Sequence, residues 1–556
     1  MRSIWTCLPR GTAPAILVGL VPLACVGTIG ERGSGDESLD NTPQLGPDGR
    51  YICDEGPYPV ATEARRLTPV EYGNAIRDIF DARVAPSGQY PGGYGKSSTG
   101  YSTAPNLYTV GEQTATALMQ AGEDVAEGVA EVLGELLPCA QDAEPSSACT
   151  EQFVDTFVAR AYRHPLSAEE RGPLLDTYQG GRASGASFAE AIAMLTSHAL
   201  QSPQFLYITE AAAGEGRALD AYEIASRLSF YFWQTIPDAE LLALAASGEL
   251  SDPVARGNAA QRLLADPRAD HVLHRFFREW TQTEDVQPGD KDPALVDGFD
   301  EAYAASMAES FDRFAADQAR TGTLASLLTG RDVWVDAHMA SFFGVPGGAS
   351  EWEKVTLDER YSGLVTQPLL LASAAHYDTT SYVFRGRFLR KRLLCTELGA
   401  PPADAQAQFD SAQKPANPSG KDLSQVVTSN PTCAGCHSII DPGGLALENF
   451  GALGQYRASY PSGKAIDASG VMTSVGDHQV AFADYKELLA ALADEPGVAT
   501  CLGKQLVRFA MSRSDTVRDA CAVQAVGDVL AAPDGLIADA LIALVSSDSF
   551  GYRRDQ

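Results

Sequence analysis

Cys433-Ala434-Gly435-Cys436-His437 is the stretch of the chain whose residue types and spacing carry the most chemistry. Two thiols three positions apart stand one helical turn from each other, and an imidazole follows directly. That spacing lets the thiols add to the two vinyl groups of one porphyrin while the histidine ligates its iron, which is the attachment pattern of haem c. A zinc ribbon would need a second C-x-x-C, which the chain lacks. A thioredoxin-type pair would follow a strand in a βαβ setting, and the hydrophobic patterning supplies none. Cys433 and Cys436 are thus expected to hold a haem c and His437 to be its proximal ligand.

Downstream residues are read as the pocket. Ile439 to Leu445 supplies apolar cover and a turn, and a backbone carbonyl near Pro442 is expected to accept the His437 ring N–H, fixing its tautomer. Tyr456 and Arg457 are expected on the pocket wall beside a propionate. The sixth iron ligand is sought first at Met472, which follows the proximal histidine at a distance a loop spans, with Met511, His376 and His478 as alternatives. His271 and His274 share a helix face, but two ligands without a third make a weak metal site.

The remaining cysteines depend on the compartment. Arg2 and Arg10 precede an apolar run from Ala13 to Val26, the layout of an export signal and too short for a good membrane span. Val21-Pro22-Leu23-Ala24-Cys25 resembles a bacterial lipoprotein box, with Pro22 where Leu is usual. Cys25 is therefore either the lipidated N-terminus of an exported protein in the periplasm or at the outer membrane or cell surface, or incidental to a cleaved leader. Export would place Cys53, Cys139, Cys149, Cys395, Cys501 and Cys521 in an oxidising environment, where an even number suits disulfides. Six cysteines allow 15 pairings. Short loops favour Cys139–Cys149 and Cys501–Cys521, and Cys53–Cys395 follows by elimination.

The elements that must position these groups are helical. Thr68-Pro69-Val70-Glu71, Ser167-Ala168-Glu169-Glu170 and Asp220-Ala221-Tyr222-Glu223 are capping boxes, each predicting a helix start. Leu67 and Tyr72 can flank the first as a hydrophobic staple. Amphipathic spacing predicts further helices around 112–136, 151–163, 185–200, 254–265, 270–283, 298–318, 367–375 and 484–511. Residues 400–432, with Pro401, Pro402, Pro415 and Pro418, read as the most linker-like stretch. The expected fold class is mainly α, as several packed helical modules including a cytochrome c-like haem module.

Composition narrows the partners. With Lys+Arg 42 against Asp+Glu 72 among 556 residues, the net charge is −30, which would repel phosphate backbones and disfavours nucleic acid. The hydrophobic fraction of 45% excludes wholesale disorder. Length suggests about three or four ordinary domains. No G-x-S-x-G elbow, H-E-x-x-H or EF-hand loop is present. The acidic surface suits docking to a basic redox partner protein, and the membrane is expected only through the N-terminal lipid.

Five stretches carry a resemblance. Arg66-Leu67-Thr68, Glu71-Tyr72, Asn74 and Ile76-Arg77-Asp78 resemble the first helical module of the planctomycete cytochrome c-like family, exported proteins assembled from several domains of unknown function. Ala161 to Leu166 with Ser202 to Tyr207 resembles a second module. Leu219 to Trp233, continuing to Phe342-Phe343-Gly344, resembles a third. Gly363-Leu364, Arg385-Gly386-Arg387, Leu393-Leu394-Cys395 and Cys433 to Arg457 resemble a fourth, with Asp441-Pro442-x-Gly444-x-x-x-Glu448-x-Phe450 as the post-haem signature and Gly451 in place of the usual Asp. Phe509 to Arg513 resembles the terminal module. The implied organisation is a leader over 1–25, a flexible tether over 26–60, helical modules over 61–137, 150–212 and 216–346, a cytochrome c-like haem module over 357–460 and a C-terminal module over 475–553. The leading expectation is electron transfer or haem-dependent oxidoreduction through one covalent haem. A second is a surface-anchored binding or structural protein, for example one that binds cell-surface polysaccharide, with the haem secondary. A third is a haem peroxidase or oxygenase with an open distal site. The sequence leaves open whether the chain is an enzyme.

Overall fold

The capping boxes do what their spacing predicts. Thr68 Oγ1 accepts from the Glu71 amide at 3.2 Å while the Glu71 carboxylate accepts from the Thr68 amide at 2.8 Å, opening the helix Pro69–Ile79. The same reciprocal pair opens Ala168–Ala183 at Ser167 and Ala221–Trp233 at Asp220. A fourth, Ser187 with Glu190, opens Phe188–Gln201. Each box satisfies backbone N–H groups that the first helical turn would otherwise leave orphaned. Leu67 and Tyr72 are both buried, as a staple requires.

The computed structural model describes residues 42–553 apart from 47–49, 54–55, 61–62, 209–216, 296–298, 349–350 and 475–477. The leader and Cys25 lie outside the described residues, as does 26–41 of the expected tether. Helices dominate, and the strands form two-stranded antiparallel ladders that stitch distant stretches together. Arg65–Arg66 pairs with Tyr207–Ile208, and Arg217–Ala218 pairs with Tyr552–Arg553 at the end of the chain. The fold is mainly α, built of packed helical modules.

Burial unites the modules. One core draws Tyr101 together with helices from Ala221 onward, through Phe450 and Met472, to Phe550. A second gathers most of the first two modules and takes Phe230 and Ile236 from the third, and Ala104, Leu107 and Tyr108 form a small one of their own. The described residues accordingly form one compact unit. No helix among the described residues is long and apolar enough to cross a membrane.

Four expectations need correcting, the first being that 400–432, read as the most linker-like stretch, holds the helices Ala405–Ser411 and Gly420–Thr428. The predicted helix over 484–511 is two, Tyr485–Ala493 and Pro496–Met511, because Pro496 cannot donate into a continuing helix and starts a new one. Within the span read as a tether, Gln44–Leu45 pairs with Tyr51–Ile52, and this hairpin docks on the helix Ala520–Ala531 through Tyr51 N to Gln524 Oε1 at 2.8 Å and an Arg50–Asp528 ion pair. Finally, Cys139–Cys149 forms as expected, but the other bridges are Cys53–Cys521 and Cys395–Cys501, with Cα separations of 5.7 and 5.4 Å. Cys501 and Cys521 stand on two different helices that pack together, one turned toward Cys395 and the other toward the docked hairpin. Nearness in sequence did not bring their Cβ atoms together.

Candidate functional site

The C-x-x-C-H residues lie in the first half of the helix Pro431–Ala446, which starts with Pro431 behind the N-cap Asn430. Asn430 Oδ1 accepts from the Thr432 amide at 3.0 Å. Helical geometry puts Cys433, Cys436 and His437 within one turn of each other. Cys433 is half-buried, Cys436 is exposed, and both are free thiols. The other six described cysteines are all in disulfides.

His437 Nδ1 lies 2.9 Å from Asp441 Oδ1, one turn along the same helix. Asp441 is 1% exposed, and its other oxygen accepts from Ser424 Oγ at 2.6 Å, so the carboxylate is anchored from the neighbouring helix Gly420–Thr428. This corrects the expected partner and the expected turn. Residues 439–445 continue the helix through Pro442, so carbonyls there face along the axis, and a side chain four residues on is what reaches the imidazole. The arrangement holds one ring nitrogen and leaves Nε2 for a ligand, the usual way a protein orients a metal-binding histidine.

The second half of the helix is fixed by backbone contact. A Cβ on Gly444 would stand 1.7 Å from the Tyr382 carbonyl oxygen, and one on Gly386 would stand 2.1 Å from that of Ile440. The helices Tyr382–Phe388 and Pro431–Ala446 therefore cross with main chain against main chain, which only glycine permits. Arg385, fully buried, donates to the carbonyls of Leu447, Phe450 and Gly451 at 2.7–2.8 Å. Burial pushes its pKa down to about 10, with Glu448 opposing. Arg390 donates to the Ile439 carbonyl at 2.7 Å and also to that of Thr473, tying the helix to the strand Gly470–Thr473. Burial pushes the Tyr382 hydroxyl well above its ordinary range, and Asp441 and Glu448 add to it.

A latch closes the far side. Lys421 pairs with Asp467 at 2.6 Å, and Lys464 pairs with Asp422, joining the helix Gly420–Thr428 to the turn over 464–467. Hydrogen bonds from Lys421 and then Ser469 hold the Asp467 carboxyl down at about 2, and those from Lys464 and Ser419 hold Asp422 lower still.

The other residues singled out from sequence are placed as follows. Arg457 is held by Glu448, with Nε donating to its carbonyl at 3.0 Å and Nη2 3.3 Å from its carboxylate. Tyr456 packs on Phe450, ring centroids 5.9 Å apart. Both shape the loop after the helix. Met472 is 1% exposed, its sulfur against Gly443, about 9 Å along the helix axis from His437 at the standard rise. Met511 lines a small cavity with Arg275 and Phe509, the His376 ring lies tilted against Phe384 with centroids 5.1 Å apart, and His478 pairs with Glu495 at 3.3 Å. None of the four is hydrogen-bonded to His437. Among the described residues no cluster of three or more His, Cys, Asp or Glu is arranged to hold a metal ion, so His271 and His274 gain no third ligand.

Sequence reasoning missed the roles of Ser424, Arg385, Gly386, Arg390 and Gly444. The adjacent glycines Gly443-Gly444 inside a helical stretch were the available signal, since an interior glycine pair costs helix stability unless close packing requires it.

Five protein families match successive stretches of the chain, each described as a protein of unknown function. They are DUF1587 over 65–131, DUF1595 over 149–210, DUF1592 over 219–345, DUF1588 over 361–460 and DUF1585 over 478–550. The thiols, His437, Asp441 and the glycine crossing all fall within the DUF1588 match. No curated protein and no solved structure matches the chain. Five such domains in this order mark one architecture, and the chain belongs to the planctomycete cytochrome c-like multidomain family.

Proposed function

We propose that the chain is an exported c-type haem protein, carrying one haem on Cys433 and Cys436 and working in electron transfer or haem-dependent oxidoreduction. The observation that carries the reading is that these two thiols are free and accessible while every other described cysteine is paired, and that the adjacent His437 is held through Nδ1 with Nε2 open. The donor set fits the group: Cys433 and Cys436 for covalent attachment, His437 for the iron. When bound, haem supplies a one-electron iron couple. Asp441, accepting from the His437 ring N–H and anchored by Ser424, keeps the tautomer fixed and makes Nε2 a stronger donor. The Gly386–Gly444 crossing, Arg385 and Arg390 hold the backbone beneath. The excess of acidic residues suits a basic redox partner, and a lipid on Cys25 would keep the protein at the periplasmic or outer surface.

The test is expression in a host with haem-attachment machinery. The expected result is a haem absorbance that stays with the polypeptide after denaturation. A colourless product with Cys433 and Cys436 joined in a disulfide overturns the reading. Ferrous spectra with and without carbon monoxide then distinguish a six-coordinate carrier from an open-site peroxidase or oxygenase.

One observation favours the binding-protein alternative. A cleft of about 1230 Å3 lies between the second and third modules, lined by Tyr162, His164, His198, Gln201, Gln204 and Tyr222 among others. Rings and amides are the groups that take up neutral sugars. Haem-free Cys433→Ala protein that is retained on cell-surface polysaccharide supports this alternative, and absence of retention removes it.

A further inference from the structure

The stretch over 382–393 has two faces. Gly386 and Arg390 look at the helix Pro431–Ala446, as above. Phe384, Arg387 and Lys391 recur at three- and four-residue spacing on the other side. There they border a cavity of about 140 Å3, together with Arg392, Phe388 and Thr281. A single ordered water needs on the order of 10–15 Å3, so the cavity has room for a small organic molecule.

Its charge is one-sided. Three basic residues line it and no carboxylate does. Among the described residues, none of the three basic side chains forms a hydrogen bond or an ion pair, and Arg392 Nε is buried without a partner. Burial pushes the Arg392 pKa down; Tyr101 opposes this, while Arg508 and Arg387 are like charges that add to it. Other arginines have partners for at least part of the guanidinium: Arg278 meets Asp285 and Asp312, and Arg385, whose buried Nε is also without a partner, gives its other two nitrogens to three carbonyls. In a chain with 72 acidic and 42 basic residues, three neighbouring cations without an acid are not explained by a shortage of partners. Leaving the buried Arg392 Nε unpaired costs stability unless a ligand meets it. The rest of the wall is uncharged: Phe384, at 44% exposure, Phe388, Leu370 and Ala374 give it an apolar side, beside the neutral polar Thr281, Gln282, Thr283 and Ser373.

We propose that this cavity binds a compact organic anion, a carboxylate with a small apolar body, its charge toward Arg387, Lys391 and Arg392 and its body against Phe384 and Phe388. The site is independent of the haem reading, since it faces away from the thiols' helix.

Calorimetry on the purified full chain tests it, with benzoate as the probe and inorganic phosphate as the comparison, at fixed ionic strength. Benzoate should bind saturably at one site, more tightly than phosphate, and more weakly as sodium chloride rises. Arg387→Gln with Lys391→Gln, at an exposed and a half-buried position, should weaken benzoate by about tenfold or more while the thermal melt stays unchanged. Phe384→Ala should weaken benzoate and leave phosphate unaffected. No saturable benzoate heat, equal binding by the double variant, or phosphate binding as tightly as benzoate would each overturn the proposal.

Discussion

The two halves of the helix Pro431–Ala446 are built on opposite terms. The second half is pressed backbone to backbone against Tyr382–Phe388 and clamped by Arg385 and Arg390. The first half presents Cys433, Cys436 and His437 toward solvent, with a single anchored carboxylate behind the imidazole. One helix thus separates rigidity from reactivity along its length. A group to be joined covalently needs access, and a ligand to be held at one angle needs a fixed base; the crossing supplies the base without covering the thiols.

Substitutions at the crossing should be the most damaging. Gly444→Ala drives a methyl into the Tyr382 carbonyl, and a loss of about 4 kcal/mol or more, or no folded product, is expected in urea unfolding. Arg385→Met removes the side-chain donor to three carbonyls, of which those of Leu447 and Gly451 keep the Phe450 and Gly454 amides, and should cost about 2 kcal/mol by the same measurement. Asp441→Asn tests the link between the halves: stability should fall by only about 1 kcal/mol, while the midpoint potential of the haem-loaded protein shifts, since Asn cannot charge-stabilise the imidazole. A wild-type potential in that variant would show that the carboxylate merely packs. At the open end, Cys436→Ser should change stability by no more than about 0.5 kcal/mol yet abolish thioether attachment at that position, read as altered haem retention after denaturation.

The smallest effect is expected from acid. Asp467 and Asp422 have folded pKa values below the unfolded carboxylate range, so their contribution is complete above about pH 4 and is lost as pH falls toward about 2. Hydrogen exchange over 420–428 and 464–467 should rise in that window before the rest of the chain opens.

Much of this arrangement could be read in the chain, for identifiable reasons. Thr68, Ser167 and Asp220 announced helix starts because capping is local, settled by residues three apart. The thiols and His437 announced themselves because their chemistry depends on spacing within one turn. Asp441 was in plain view, but its role depended on whether residues 439–445 turn or continue as helix, and Pro442 argued for the turn. Burial against Tyr382–Phe388 overrode that preference. The disulfides were the least legible, because Cys395–Cys501 and Cys53–Cys521 depend on which helices meet across long separations.

The Cys53–Cys521 bridge joins positions 468 residues apart. Mechanically, it is a shunt. A pull applied between the N-terminal stretch and the last helices passes through one covalent link and does not stretch the polypeptide between. The thiols, the glycine crossing and the anion cavity all lie inside that loop, on the slack side of the load path. A load on the N-terminal stretch would therefore reach the C-terminal helices and leave the loop's own contacts unloaded.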